Sequence, residues 1–320
     1  NATNASGTAQ VTGGQFGIRA GNYDDGALII SANTVTGSTR DGIRARSGNG
    51  TTSMSITVSG TVTGALDGIN AQHRGGRDLT INATNSDGTA QVTGGVRGMY
   101  VESTASHDVT ILANSVRGDT NAGIDFYKAT NFGSVTINAT NADGTAQVTG
   151  ATQGIEVYSS SDGDLQVTAD NVLGNNGDGI TSQTLGSGEA QFTTYGTVSG
   201  SDDGFDIRNE GTLRIYATNA DGTASVTGGR TGIRAVNLTR GFLIVTVDNA
   251  DGATEDGIFA RSDGAGVLIN ANGVVSGGRY GIDASTTNGN GVEVNATNAS
   301  GTASVTGAQT GNRAMVDTGG

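Results

Sequence analysis

The chain has 320 residues, 55 of them glycine, with no proline, cysteine or tryptophan and a net charge of -13. Without cysteine it has neither disulfides nor thiolate metal sites, and its negative balance disfavours a nucleic-acid partner, because phosphate binding needs a basic surface. No apolar run approaches the roughly 18 residues of a membrane span, so membrane insertion of this segment is not expected.

The 4% aromatic content would by itself suggest disorder. The regular spacing of Val, Ile, Gly and Thr argues otherwise. In chain order, Gly-Ile or a close variant recurs at Gly17, Gly42, Gly68, Gly98, Gly123, Gly154, Gly179, Gly204, Gly232, Gly257, Gly281 and Gly311, in steps of 24 to 31 residues. About ten residues after the Ile comes a second apolar pair, as in Ile56-Val58, Leu79-Ile81, Val109-Ile111, Val135-Ile137, Leu165-Val167, Leu213-Ile215, Val267-Ile269 and Val292-Val294. A third phrase, Val-x-Gly, follows, from Val11 through Val35, Val62 and Val92 to Val305. Each of about twelve units therefore carries three short segments of period two, bounded by Gly, Asn and Asp, which read as strands and turns.

Three short, unequal strands pair best with their copies in the next unit. Stacked in parallel they give an all-β solenoid, a parallel β-helix with three strands per rung. Period two then directs Ile18, Ile43, Ile69, Met99 and Ile124 inward, with Ala20, Ala45, Ala71, Val101 and Phe126 beside them. Arg19, Arg44, Asn70, Tyr100 and Asp125 fall between these columns as an outward, solvated series. From Val-x-Gly to Gly-Ile the connection is short and nearly constant, so both glycines are expected to take backbone angles that side chains obstruct.

The opposite connection varies in length. Most rungs cross it in a few residues, but those containing Thr-Asn-x-[Asp/Ser]-Gly-Thr-Ala need more, and the extra residues must bulge from one corner. The phrase recurs at Thr84, Asn85 and Asp87, at Thr140, Asn141 and Asp143, at Thr218, Asn219 and Asp221, and at Thr297 and Asn298, with a first copy near Asn1. Strands about 4.8 Å apart would set these bulges in a row every two or three rungs, a series of polar knobs available for contact.

Gly-Ile-Arg-Ala at 17–20 and 42–45, Asp-Gly-Ile at 41–43, 67–69, 178–180 and 256–258, and Thr-Val-Thr-Gly at 61–64 resemble the passenger regions of bacterial autotransporters (type V secretion) and related large surface adhesins. The resemblance spans nearly the whole chain. It implies a right-handed parallel β-helix displayed outside the cell as an adhesin or stalk, without catalysis. Asn1 opens inside a repeated phrase with no signal segment, so residues 1–320 read as one rod, a fragment of a longer repetitive chain. The expected partners are neighbouring repeats, other copies joined head to tail or laterally, and cell-surface glycans or host receptors.

Parallel β-helices also include polysaccharide lyases, which keeps a polysaccharide-binding or polysaccharide-cleaving alternative open. Asp178 and Asp203 precede Gly in successive rungs and should stack; with Asp202 and Asp206 they form a candidate calcium site, against the plainer reading of Asp-Gly turn formers. His73 and His107 fall in turn regions without a consistent partner and read as ordinary exposed residues. Arg117-Gly118-Asp119 is an integrin-like tripeptide at a corner where Gly118 is already required. Asn-x-Ser/Thr occurs eight times, including Asn237 and Asn298, and reads as loop polarity. Asp317-Thr318-Gly319 reads as a terminal loop. No cofactor is implied apart from calcium.

Overall fold

A computed structural model describes residues 1–4, 7–50, 52–104, 106–129, 132–239, 241–287, 290–298 and 301–316. Strands β1 (Gln10–Gly13), β2 (Ile18–Asn22) and β3 (Gly26–Ala32) form the first rung, and the pattern repeats through 35 strands, with no helix among the described residues. Each strand pairs in parallel with its counterpart in the next rung. The result is a three-sided solenoid whose first, second and third sheets hold 12, 12 and 11 strands. Eleven rungs are thus complete, and the last two strands begin a twelfth.

The register is the one period two predicts. Val35 faces Val62 in the first sheet, Ile43 faces Ile69 in the second, and Ile30 faces Ile56 in the third. These residues lie in one continuous buried apolar cluster running the length of the rod. Each inward aliphatic contributes about 1.5–3 kcal/mol on burial, so stability accumulates along the stack and no rung holds itself. Two rungs conceal the pattern in sequence: Ala190-Phe192 stands in the third sheet where a larger aliphatic is usual, and Ala250 replaces the usual Val in the first, while Leu243-Val245 completes the third sheet with an ordinary pair.

The short corner departs from expectation in its cause. Gly64 and Gly68 do not have positive φ. A Cβ on Gly64 would instead lie 2.0 Å from the Asp67 carbonyl oxygen, and one on Gly68 would lie 2.6 Å from Val92 Cγ1 in the next rung. Close approach of backbone to backbone, rather than an unusual angle, requires glycine here.

At the ends of the second-sheet strands, the last excepted, the inward position turns polar. Ser47, His73, Ser103, Lys128, Ser159, Thr184, Asn209 and Asn237 occupy it in successive rungs and are all buried. The chain turns a corner there, and carbonyls that have left the ladder need donors. Lys128 Nζ donates to the carbonyls of His107 and Gly133, both at 2.9 Å, and Asn237 Nδ2 donates to those of Gly211 (2.7 Å) and Gly241 (2.8 Å). His73 therefore contradicts the exposed-turn reading. It ends a strand, it is 1% exposed, and its ring nitrogens meet Ser47 Oγ at 2.7 Å and the Arg77 carbonyl at 2.5 Å. The carbonyl can only accept, so Nε2 carries the proton and Nδ1 accepts from the serine hydroxyl. Burial pushes the His73 pKa below its ordinary value. His107 is exposed, as expected.

Candidate functional site

Two features are positioned by the stacking: the row of loops at the corner between third and first sheets, and the outward face of the second sheet. The loops share one internal design. The Asn of each phrase turns its side chain back into the loop, where Oδ1 accepts from the Thr backbone N–H four residues on: Asn4 to Thr8, Asn85 to Thr89 and Asn141 to Thr145 at 2.8 Å, and Asn219 to Thr223 and Asn298 to Thr302 at 2.9 Å. Gly88, with a φ of 69°, makes the left-handed step that closes this turn, and Gly7, Gly144, Gly222 and Gly301 repeat it.

A second bond ties the first four loops to the following rung. The backbone N–H of the same Asn donates to the side chain 29 residues later: Asn4 to Asn33, Asn85 to Asn114 and Asn141 to Asp170 at 3.0 Å, and Asn219 to Asp248 at 2.9 Å. These four acceptors are buried. Backward, the Nδ2 of Asn85 reaches the Ser59 carbonyl and that of Asn219 the Tyr195 carbonyl. Thr84 and Thr140 donate their hydroxyls to Asn82 and Asn138, at 2.6 and 2.7 Å. The repeated Asn is therefore a clasp between rungs and the Thr braces the loop from within, while Asp87, Asp143 and Asp221 stand exposed at the tips. The loops precede strands 1, 4, 6, 9 and 12 of the first sheet, two or three rungs apart as expected.

The Asp-Gly-Ile aspartates also work between rungs. Asp178 Oδ1 accepts the Asp203 backbone N–H at 2.9 Å, and Asp203 Oδ1 accepts that of Thr231 at 3.0 Å. The two do stack. However, Asp203 is fully buried in a two-point pair with Arg230 Nε (3.1 Å) and Nη2 (2.6 Å), Asp202 meets the same guanidinium at 3.1 Å, and Asp206 pairs with Arg234 at 2.7 Å. Arginine thus partners Asp202, Asp203 and Asp206 of the candidate calcium cluster. Burial holds the Asp178 carboxyl above the usual range while Thr181 Oγ1 donates to it at 2.6 Å. Among the described residues no group of three or more His, Asp or Glu is arranged to hold a metal ion.

Outward on the second sheet, rungs four to seven carry a patch of aromatics and acids. Tyr127 and Tyr158 stack with centroids 5.1 Å apart and planes 9° from parallel. Asp125 and Glu156 face one another across adjacent strands. Arg97 lies 3.9 Å over the Tyr100 ring and reaches both Asp67 and Asp125 at 3.0 Å. Burial raises the carboxyl pKa of Asp125 and Glu156; for Glu156 the neighbouring Asp125 charge adds to it. This face is thus less solvated than expected, with Asn70 and Asp283 in the same column buried.

The arginines are also not scattered. Residues 1–77 hold six arginines and four aspartates, a net +2, which leaves -15 on the rest of the chain. Elsewhere, Arg117 and Asp119 pair with each other at 2.6 Å, so the charges of the integrin-like tripeptide are turned inward on themselves. Asn237 is buried with its amide donated to carbonyls and offers no glycan acceptor. Asp317-Thr318-Gly319 lies outside the described residues.

Comparisons with protein-family models, curated proteins and solved structures returned no match.

Proposed function

We propose that the chain is a structural and adhesive rod, a segment of an extracellular bacterial surface protein that makes contact through its outward faces. The observation that carries this reading is the use of the repeated polar phrase. Its Asn binds rung to rung while its Thr and Gly hold the loop in shape, so the repeats build length and stiffness, and variation is left to the outward columns. Three continuous sheets give a partner a flat surface several strands wide. The resemblance of the Gly-Ile-Arg-Ala and Thr-Val-Thr-Gly phrases to autotransporter passengers supports display at the cell surface and association with neighbouring repeats or further copies.

Protease treatment of intact producing cells tests it. The rod is expected to be cleaved or released while cytoplasmic proteins survive, and purified rod on beads is expected to retain the beads on glycan- or cell-coated surfaces. Protection of the rod until the cells are lysed would sink the reading.

A second reading rests on Asp125 and Glu156. Two carboxyls on adjacent strands, one raised by the other's charge and flanked by tyrosines, are the parts of a glycoside-cleaving pair, in which one acts as acid and the other as base or nucleophile. Release of reducing ends from a polysaccharide panel, abolished by Glu156→Gln, would favour it. Absence of turnover across the panel would leave the adhesive reading in place.

A further inference from the structure

We infer that the second-sheet face of the first three rungs binds a short acidic carbohydrate segment through a cluster of arginines, most of them without a carboxylate partner. Arg19 and Arg44 are direct partners on adjacent strands, and Arg46 lies two residues on from Arg44 on the same face. Like charges placed opposite one another destabilise a sheet, and the Phe16 ring, 5.5 Å from the Arg19 guanidinium and 5.4 Å from that of Arg44, offsets this in part without neutralising either charge. Arg44 has Asp41 at 3.9 Å. Among the described residues no carboxylate lies within ion-pair distance of Arg19, Arg46 or Arg74.

Two further observations give the cluster the form of a site. The Nε atoms of both Arg44 and Arg46 are buried and lack a hydrogen-bond partner. That of Arg44 has Asp41 Oδ2 at 3.9 Å, whereas that of Arg46 has no acceptor near it among the described residues, and a buried donor left unmade is costly. The same arginines line two adjoining clefts that share Tyr23 and Arg46: one of about 480 Å³ with Gln72 and Arg74, the other of about 240 Å³ with Arg19 and Arg44. Gly21, opposite Arg46, leaves room for it.

The chemistry of the cleft selects the ligand. Guanidinium forks match the planar oxygens of carboxylate or sulfate and hold them at two points. Tyr23 offers a largely exposed ring on which an apolar sugar face can rest, and Gln72 provides hydroxyl partners. The basic patch ends at the third rung, beyond which the chain carries -15. A long polyanion would be repelled there, so the bound segment is short, a few sugars spanning three rungs. A folded acidic surface fits less well, because its carboxylates would have to enter a narrow cleft.

This inference rests on the adhesive reading and can fail separately from it: the cell-surface protease result does not depend on these arginines. Titration calorimetry of the whole chain with trigalacturonate, a sulfated heparin tetrasaccharide and neutral maltotriose provides the test. One or both acidic probes are expected to bind and maltotriose not to; the one that binds identifies the acid group. The R46A/R74A variant is expected to weaken binding about tenfold or more, and R46K/R74K, which keeps charge but loses the fork, by an intermediate factor. R214A/R261A, on other rungs, is expected to bind as the parent does, and unchanged melting temperatures establish that the variants fold. The idea is overturned if no acidic probe binds, if R46A/R74A binds unchanged, or if R214A/R261A loses as much, which would show a net-charge effect only. Salt-sensitive oligomers that vanish in R46A/R74A, without probe binding, would assign the patch to a second copy of the chain.

Discussion

Lys128 is the single lysine of the chain, fully buried in the polar corner column. Burial lowers its pKa from 10.5 to about 8, opposed in part by the charges of Asp108 and Asp78. Below pH 8 both folded and unfolded chains hold the proton, and the cost of the buried charge is fully present. Between pH 8 and 10.5 the folded chain releases it while the unfolded chain keeps it, so the unfolded state binds more protons and stability rises with pH. The gain is about 2 kcal/mol by pH 9.5 and about 3 kcal/mol at completion. Urea unfolding followed by circular dichroism at pH 7.0, 8.5 and 9.5 measures it. The parent should gain stability over this range, and Lys128→Gln, which keeps a donor for the His107 and Gly133 carbonyls without the charge, should be flat. A flat parent profile, or an equal slope in the glutamine variant, would refute the placement of a charged ammonium in the core.

The remaining predictions concern the clasps. Asn85→Ala removes four hydrogen bonds within and between rungs and should cost about 1–2 kcal/mol by urea unfolding, whereas Asp87→Ala at the exposed tip should stay within about 0.5 kcal/mol; equal effects would contradict the clasp. Gly68→Ala places a Cβ 2.6 Å from Val92 Cγ1 and should cost about 1–3 kcal/mol, a loss that Val92→Ala in the same chain should partly relieve. Millimolar calcium should leave the melting temperature unchanged, because Arg230 and Arg234 already occupy Asp203 and Asp206; a rise abolished by Asp203→Asn would restore the calcium reading.

The fold was legible because its core residues are large and periodic: Ile43, Ile69 and Ile81 announce themselves. Rungs with small inward residues were not, since Ala190 and Ala250 look like surface positions until their neighbours fix the register. The polar corner column was hidden for a different reason. Ser103, Lys128 and Asn237 sit at inward positions, but nothing in a linear pattern reveals carbonyls turned toward them. The spacing of the repeated phrase locates the loops, but not the hydrogen bonds by which their Asn residues tie one rung to the next. A sign is present in the Asn or Asp that follows the first four loop Asn residues by 29 positions. The arginine cluster was missed by treating charge as a property of the whole chain, when the first 77 residues differ in sign from the rest.

Everything functional here depends on in-register stacking, and paired cysteines test that directly because the chain has none of its own. Thr36 and Thr63 are register partners on adjacent first-sheet strands, and Thr93 follows one rung later. Neighbouring strands about 4.8 Å apart can be bridged, whereas two rungs exceed the roughly 7 Å limit for a disulfide. Mild oxidation of the T36C/T63C chain should therefore form an intramolecular disulfide in near-complete yield without lowering the melting temperature, and T36C/T93C should remain reduced. Equal bridging of the two pairs, or none in the first, would contradict the solenoid and with it the rod.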